Sequence, residues 1–305
     1  MINNFEELLA AAQKTAPVYI AVAVAHEAEA LKAVIRARDL NIANPILVGD
    51  KSWIISMIED LGNDPGDFEI IHEKVPALAA AAAANTVRQG KASILMKGGV
   101  PTAVFIHTAL GPPGDLKAGL LSDVAIYEDN TRTGCQLVLQ SDGGINISPG
   151  IRQKLDIIRN AVSVAHILGI NSPRVALLSG SEKVHPDFQS TIDAIVLVKM
   201  CQDGAVEGCV VDGPFALDNA IDAESARSKG IESPVAGKAD ILIVPNLEAG
   251  NIFGKSLQYY GKLMLIHVAI GAKVPILIDS RTAKADEKLH SIALAKIVQE
   301  SRKDK

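Results

Sequence analysis

The chain has 305 residues, 48% of them hydrophobic but only 4% aromatic, and carries a formal net charge of −5. That length suits one large domain or two of ordinary size. The acidic balance argues against nucleic acid as the main partner, since such binders concentrate basic charge on one surface, yet it leaves room for a local basic pocket that takes a phosphorylated ligand.

The opening stretch, MINNFEELLAAAQKT, has no basic segment leading into an apolar one. It reads as an amphipathic helix and not as a signal peptide. No apolar run reaches the length needed to span a bilayer, so no membrane partner is expected. Apolar β-branched runs then recur between helical patterns. Strands are predicted at 18–24, 45–49, 68–72, 92–98, 122–128, 135–141, 174–180, 207–213, 239–245 and 274–279. Helices are predicted at 26–39, 75–90, 150–168, 187–202, 248–270 and 285–299. Several strands are apolar throughout rather than alternating, which suits a mostly parallel sheet covered on both faces, and the alternation of strand and helix predicts an α/β fold with right-handed crossovers.

The rhythm breaks near 121–147. Two strand-like segments follow each other with only DNTRTG between them, which reads as a hairpin. The Gly- and Pro-bearing SDGGINISPG (141–150) then leads into a new helix, and a domain boundary is expected there. Two α/β domains with a ligand cleft between them follow from that reading. Three cysteines, Cys135, Cys201 and Cys209, share no CxxC spacing and read as free thiols of a reducing cytoplasm. The histidines form no HxxxH or HExxH spacing, so no metal site is expected.

Four stretches could carry chemistry, and each also has a bland reading. VPNLEAGNIFGKS (244–256) follows a strand, where an α/β unit presents its ligand crevice. Asn246 caps the next helix, Glu248 stands in the loop, Gly250 and Gly254 permit close approach, and Lys255 adds positive charge. The helix start is an anion site or simply a capped helix packed on a neighbour. VPILIDSRTAKADEK (274–288) ends a strand at Asp279, Ser280 and Arg281. Arginine suits bidentate phosphate contact and a nearby carboxylate suits a general base, while Asp286 and Glu287 could equally be ordinary first-turn acids of a helix. KGGVPTAVFIHTAL (97–110) offers Gly98 and Gly99 before a helix that holds His107, an anion site or a turn with a packed histidine. VALLSGSEKVHPDF (175–188) offers Ser179, Gly180, Ser181 and Lys183, suited to phosphate or ribose contacts or to turn and cap chemistry.

Taken in order, ESPVAGKADILIVPNLEAGNIFGKSL, VALLSGSEK, VDGPFALDNAI and IDSR with the acids after it resemble the phosphate acetyltransferase and phosphate butyryltransferase family. The matching segments span residues 97 to the C-terminus, and the VDGPFALDNAI and SIALA wordings look closer to the butyryl branch. The resemblance implies reversible acyl transfer: acyl-CoA plus phosphate gives acyl phosphate plus CoA. It implies two α/β domains arranged like the isocitrate and isopropylmalate dehydrogenases, with the active site in the cleft between them. Domain I would then comprise 1–142 and 274–305 and domain II 143–273. A homodimer or higher homo-oligomer is implied, and neither a metal nor a prosthetic group is needed.

The resemblance also implies roles. A carboxylate takes the proton of the CoA thiol, Arg281 holds the phosphate, and Ser280 donates to charge developing at the carbonyl or leaving group. Asn246, Glu248, Gly250, Asn251, Lys255 and Tyr259 of the PNLEAGN stretch, with Ser179 and Ser181, fall among the substrate-binding positions. The acetyl branch places its carboxylate seven residues after the Ser, here Glu287; the butyryl spacing favours Asp286. Tyr259 stands where the acetyl branch has an arginine, and no arginine lies between Arg88 and Arg132 to supply the family's other phosphate contacts. Two other classes stay in view: a metal- and NAD(P)-dependent dehydrogenase, for which no acidic cluster is visible, and a non-catalytic acyl-CoA sensor, which would not need Ser280, Arg281 and an adjacent acid.

Overall fold

The computed structural model describes residues 1–112, 114–131 and 136–302. Cys135, and with it the start of the strand expected at 135, lies outside the described residues. The chain divides into two compact units, one of Phe5–Leu121 with Ile266–Lys305 and one of Met1–Asn4 with Ser122–Leu265.

In the first unit, strands β1 (Val18–Ala23), β2 (Ala43–Gly49), β3 (Glu69–His72) and β4 (Ile94–Lys97) alternate with helices α1 (Phe5–Ala12), α2 (Ala28–Asp39), α3 (Lys51–Asp60), α4 (Pro76–Arg88) and α5 (Thr102–Leu110). After the second unit the chain returns as β10 (Ile266–Ala272), β11 (Ile276–Leu277) and α11 (Ala285–Ser301). The strand order is β3-β2-β1-β4-β11-β10, parallel except for β10 against β11. Ile20, Leu47 and Ile94 are fully buried in it. Removing such a side chain from water contributes about 1.5–3 kcal/mol. The alanine run of α4 starts with Pro76 at its first turn, where the missing N–H costs nothing, and packs on β1 and β2. α11 packs on α2, α1 and β10.

The second unit contains β5 (Lys117–Asp129, from Ser122 on), β6 (Gln136–Ser141), β7 (Arg174–Leu178), β8 (Val210–Phe215) and β9 (Ile241–Ile243). Its helices are α6 (Ile151–Ile167), α7 (Gln189–Gln202), α8 (Leu217–Ile221), α9 (Ala223–Ser228) and α10 (Leu247–Tyr259). The order is β5-β6-β9-β7-β8, with β5 and β6 an antiparallel hairpin and the other pairs parallel. Tyr127, Phe215, Leu242 and Leu265 lie in its core, with Phe253 and Leu257 of α10 packed against them.

The α/β architecture agrees with the sequence reading in both units. The units divide at 121/122 and 265/266, earlier in each case than the boundaries expected at 142/143 and 273/274. The hairpin accounts for the first difference, because β6 pairs with both β5 and β9 and so keeps all three strands together. The helix expected over 248–270 is corrected: α10 ends at Tyr259, a connection covers 260–265, and β10 begins at Ile266. The chain leaves the helix through Gly261, where a Cβ would meet the Leu257 carbonyl at 2.7 Å, and Lys262, which adopts a left-handed φ of 55°. The strand expected over 274–279 is shortened to β11 at Ile276–Leu277.

Candidate active site

In the first unit the functional stretch is built by β11 and the start of α11. As the chain leaves β11, the Ser291 hydroxyl donates to the buried Asp279 carboxylate at 2.8 Å. Ser280 and Arg281 follow and are exposed. The Ser280 hydroxyl lies 2.9 Å from that of Thr282. The guanidinium of Arg281 makes no hydrogen bond or ion pair among the described residues. α11 then begins with a cap: the Lys284 amide donates to Glu287 Oε2 at 2.8 Å, and the Ala285 amide donates to Glu29 Oε2 at 2.8 Å. Glu287 therefore serves the helix start, as the bland reading had it. Asp286 faces outward, with its Oδ1 2.5 Å from Arg36 Nη1.

Beneath Ser280 and Arg281 lies a charged cluster that sequence reasoning missed. Lys288 is fully buried; its ammonium donates to the Ser280 carbonyl at 3.1 Å and lies 3.1 Å from Glu27 Oε1. Lys97, at the end of β4, is buried too and donates to the Gly98 carbonyl at 3.2 Å. Burial above all holds the Lys97 ammonium below the usual lysine range; Glu27 opposes that shift, and Lys288 adds to it. Lys288 had one visible signal. Positions 288, 292 and 296 share a helix face, and Ile292 between two lysines marks it as inward.

The Gly98–Gly99 turn is tight, since a Cβ on Gly98 would meet the Val24 carbonyl at 2.3 Å. His107 is exposed on α5. His26 Nε2 accepts the Asp50 amide at 2.7 Å while its ring packs on Trp53, and burial lowers its pKa, so it caps α3 as a neutral imidazole.

In the second unit the loops after β7 and β9 meet at an open cavity of about 240 Å³. Leu178, Ser179 and Gly180 form one side, Val244, Pro245, Ala249 and Phe253 another, and Leu217 completes it. The wall is mainly apolar, with the Ser179 hydroxyl already engaged with that of Ser190 at 2.8 Å. Asn246 caps α10, its side-chain oxygen accepting the Ala249 amide at 2.9 Å. Gly250 is buried and its carbonyl accepts Gln140 Nε2 at 3.0 Å, whereas Glu248 and Asn251 are exposed.

Ser181, Lys255 and Tyr259 are not among that cavity's lining residues. Ser181 accepts the Lys183 amide at 3.0 Å, which is turn chemistry. Lys255 lies in the ninth position of α10, about 13 Å along the axis from the cap at 1.5 Å per residue. There it donates to Gln258 at 3.1 Å and sits 5.9 Å over the Tyr259 ring. Among the described residues no group of three or more His, Cys, Asp or Glu is arranged to hold a metal ion, and no helix is long and apolar enough to cross a membrane.

A family profile described as "Phosphate acetyl/butaryl transferase" matches residues 67–296. The chain is 42% identical to the phosphate butyryltransferase of Clostridium beijerinckii over 299 residues, covering 98% of each chain. It is 38% identical to the phosphate acetyltransferase of Thermotoga maritima, over 91% of this chain and 94% of that one. A crystal structure of a branched-chain phosphotransacylase from Enterococcus faecalis V583 superposes with a TM-score of 0.81 at 28% identity, covering 92% of this chain and 99% of that chain. With the Ser-Arg-acid segment and the PNLEAGN loop both lying within the matched range, the chain belongs to the phosphate acetyl/butyryl transferase family.

Proposed function

We propose that this protein catalyses the reversible transfer of a short acyl group between CoA and inorganic phosphate, with butyryl the favoured chain. The observation that carries the reading is Arg281, an exposed guanidinium without a hydrogen bond or ion pair among the described residues, beside the Ser280 hydroxyl at the carboxyl end of β11. A planar fork of donors left unspent suits an incoming phosphate. The closeness of the butyryltransferase relatives and the apolar cavity at the ends of β7 and β9 both favour a chain longer than acetyl.

In the acyl-phosphate direction, Asp286 takes the proton of the CoA thiol, and the thiolate attacks the acyl-phosphate carbonyl. The carbonyl–phosphate bond breaks and phosphate leaves on Arg281, with Ser280 donating to the oxygen that gains charge. In the reverse direction a phosphate oxygen attacks the thioester and the protonated carboxyl returns its proton to the departing thiolate. Asp286 is favoured over Glu287 because its side chain is exposed and pairs with the exposed Arg36, whereas Glu287 accepts a backbone amide of its own helix cap. Asn246, Glu248, Gly250, Asn251, Lys255, Tyr259, Ser179 and Ser181 contribute to binding CoA or its acyl chain. CoA and phosphate enter as substrates, and the reading requires no further cofactor. The free Cys201 and Cys209 suit a reducing cytoplasm, and a homo-oligomer is the expected assembly.

The test is phosphate-dependent CoA release, and arsenolysis, with acetyl-, propionyl- and butyryl-CoA. Turnover with butyryl-CoA above acetyl-CoA is expected. Tight CoA binding without turnover of any of the three would overturn the reading and mark a sensor instead.

A further inference from the structure

The first unit buries two lysines beneath the segment that presents Ser280 and Arg281. Lys288 shows no exposure at all, and Lys97 is 3% exposed. Desolvating ammonium groups is costly, and an apolar residue of like length would fill either position more cheaply. Glu27, at the start of α2, offsets both, and the buried Asp279 also favours the charged form of Lys97. Glu27 faces Lys288 at 3.1 Å, yet neither of its oxygens accepts a hydrogen bond among the described residues. The attraction between Glu27 and Lys288 is therefore Coulombic, and the directional bond of Lys288 goes elsewhere. It runs to the carbonyl of Ser280, across eight residues of chain that include the whole turn into α11. That carbonyl, which also accepts the Ala283 amide at 3.0 Å, belongs to the peptide unit joining Ser280 to Arg281, so the Lys288 bond adds a restraint from the interior to the plane from which both side chains project.

We propose that Lys288, charge-balanced by Glu27, is a positioning residue that sets the orientation of Ser280 and Arg281 for phosphate. The proposal rests on the acyl-transfer reading for its consequence in catalysis, though not for its geometry. Lys288 is fully buried beneath the turn. It acts by holding the Ser280–Arg281 peptide unit against the loss of order that an exposed turn otherwise has. Glu27 makes the buried ammonium tolerable, and its side-chain oxygens make no hydrogen bond to the turn among the described residues.

Three variants separate this role from simple charge balance: Lys288→Met, Glu27→Gln, and the two together. Lys288→Met is expected to raise the KM for phosphate about tenfold and to lower kcat by a similar factor, with the KM for butyryl-CoA changed less than about twofold. Glu27→Gln keeps the bond to Ser280 and is expected to lose about threefold or less. The double variant removes both charges of the Lys288–Glu27 pair and leaves Lys97 with Asp279 as counter-charge, so it recovers melting temperature relative to Lys288→Met but not activity, and it keeps the test open if Lys288→Met alone folds poorly. Recovery of wild-type kcat/KM by the double variant would overturn the proposal, because only the buried charge would then have mattered. Amide hydrogen exchange across 280–284 gives a reading without turnover: faster exchange in the two variants lacking Lys288, and not in Glu27→Gln, is expected. If the wild-type protein turns over none of the acyl-CoAs, the acyl-transfer reading falls while the exchange data still decide the positioning role; unchanged exchange without Lys288 sinks it.

Discussion

Gly250 backs onto Gly143 so closely that a Cβ added to Gly250 would lie 2.7 Å from the Gly143 Cα. The same Cβ would meet Val244 Cγ2 at 2.8 Å and Gln140 Nε2 at 2.9 Å, so three neighbours would have to yield at once. The first turn of α10 therefore sits against the turn after β6, and Gln140 ties the two by donating to the Gly250 carbonyl. Gly250→Ala is expected to destabilise the protein by about 1–3 kcal/mol, the usual cost of overpacking a filled site. A denaturant melt in which Gly250→Ala matches the wild type would show that the contact relaxes freely.

Asp142, in that same turn, has its carboxyl pushed up to about 6 by burial first and by the neighbouring Asp123 carboxylate second, against three amide donors that favour the charged form. The sign follows from linkage. The folded value lies above the ordinary 3.8, so the native state binds the proton more tightly than the unfolded chain. The stabilisation is complete below pH 3.8 and is lost as pH rises through about 6, at a slope approaching roughly 1.4 kcal/mol per pH unit between those two values. Asp142→Asn cannot ionise and should remove this slope. Unfolding free energies of the two proteins between about pH 4 and 7 check it; parallel curves would contradict the assignment.

Much of this was legible in the chain, and the gaps have physical causes. Buried parallel strands announce themselves as unbroken apolar runs, so the α/β alternation could be read directly. β10 could not: after Tyr259 and Tyr260, apolar residues continue through LMLIHVAI, and a buried helix and a buried strand share that composition. The stop at Gly261 and the left-handed Lys262 was the usable signal. Ser280 and Arg281 stand out in the sequence because strand ends in such folds face the ligand. Lys288 was passed over because lysine is ordinarily a surface residue. The cavity at Phe253 was hidden because its wall is assembled from separate segments of the chain.

Removing the guanidinium should separate phosphate binding from CoA binding. Arg281→Ala is expected to raise the KM for phosphate by about tenfold or more while leaving CoA affinity within about threefold, because a charge-assisted bidentate contact is lost from one substrate only. Steady-state kinetics with phosphate and butyryl-CoA varied independently test this. Equal losses for both substrates would show that Arg281 acts on the fold of the turn rather than on phosphate.

The two acids differ in what they hold. Asp286→Asn keeps size and removes the base, so kcat is expected to fall by about 10²–10⁴ with melting temperature little changed, since the Arg36 pair is solvent-exposed. Glu287→Gln retains an oxygen that can accept the Lys284 amide, and both stability and kcat should stay near wild type. The reverse outcome, a large kcat loss with Glu287→Gln alone, would move the base to Glu287.

The cavity of the second unit gives the chain-length prediction. Ala249 lies on the first turn of α10 and contributes to a wall otherwise made of Leu178, Leu217, Val244, Pro245 and Phe253, with Ser179 and Gly180 at one side. Ala249→Leu projects three more carbons into that space without disturbing the helix, because leucine is nearly as good a helix former as alanine. Each methylene accepted or refused by an apolar pocket changes discrimination by about 10–200-fold. The ratio of kcat/KM for butyryl-CoA to that for acetyl-CoA should therefore fall by about tenfold or more in Ala249→Leu, while acetyl-CoA turnover persists. A ratio that does not move would place the acyl chain elsewhere, and an equal loss with both substrates would assign the cavity to the pantetheine arm they share.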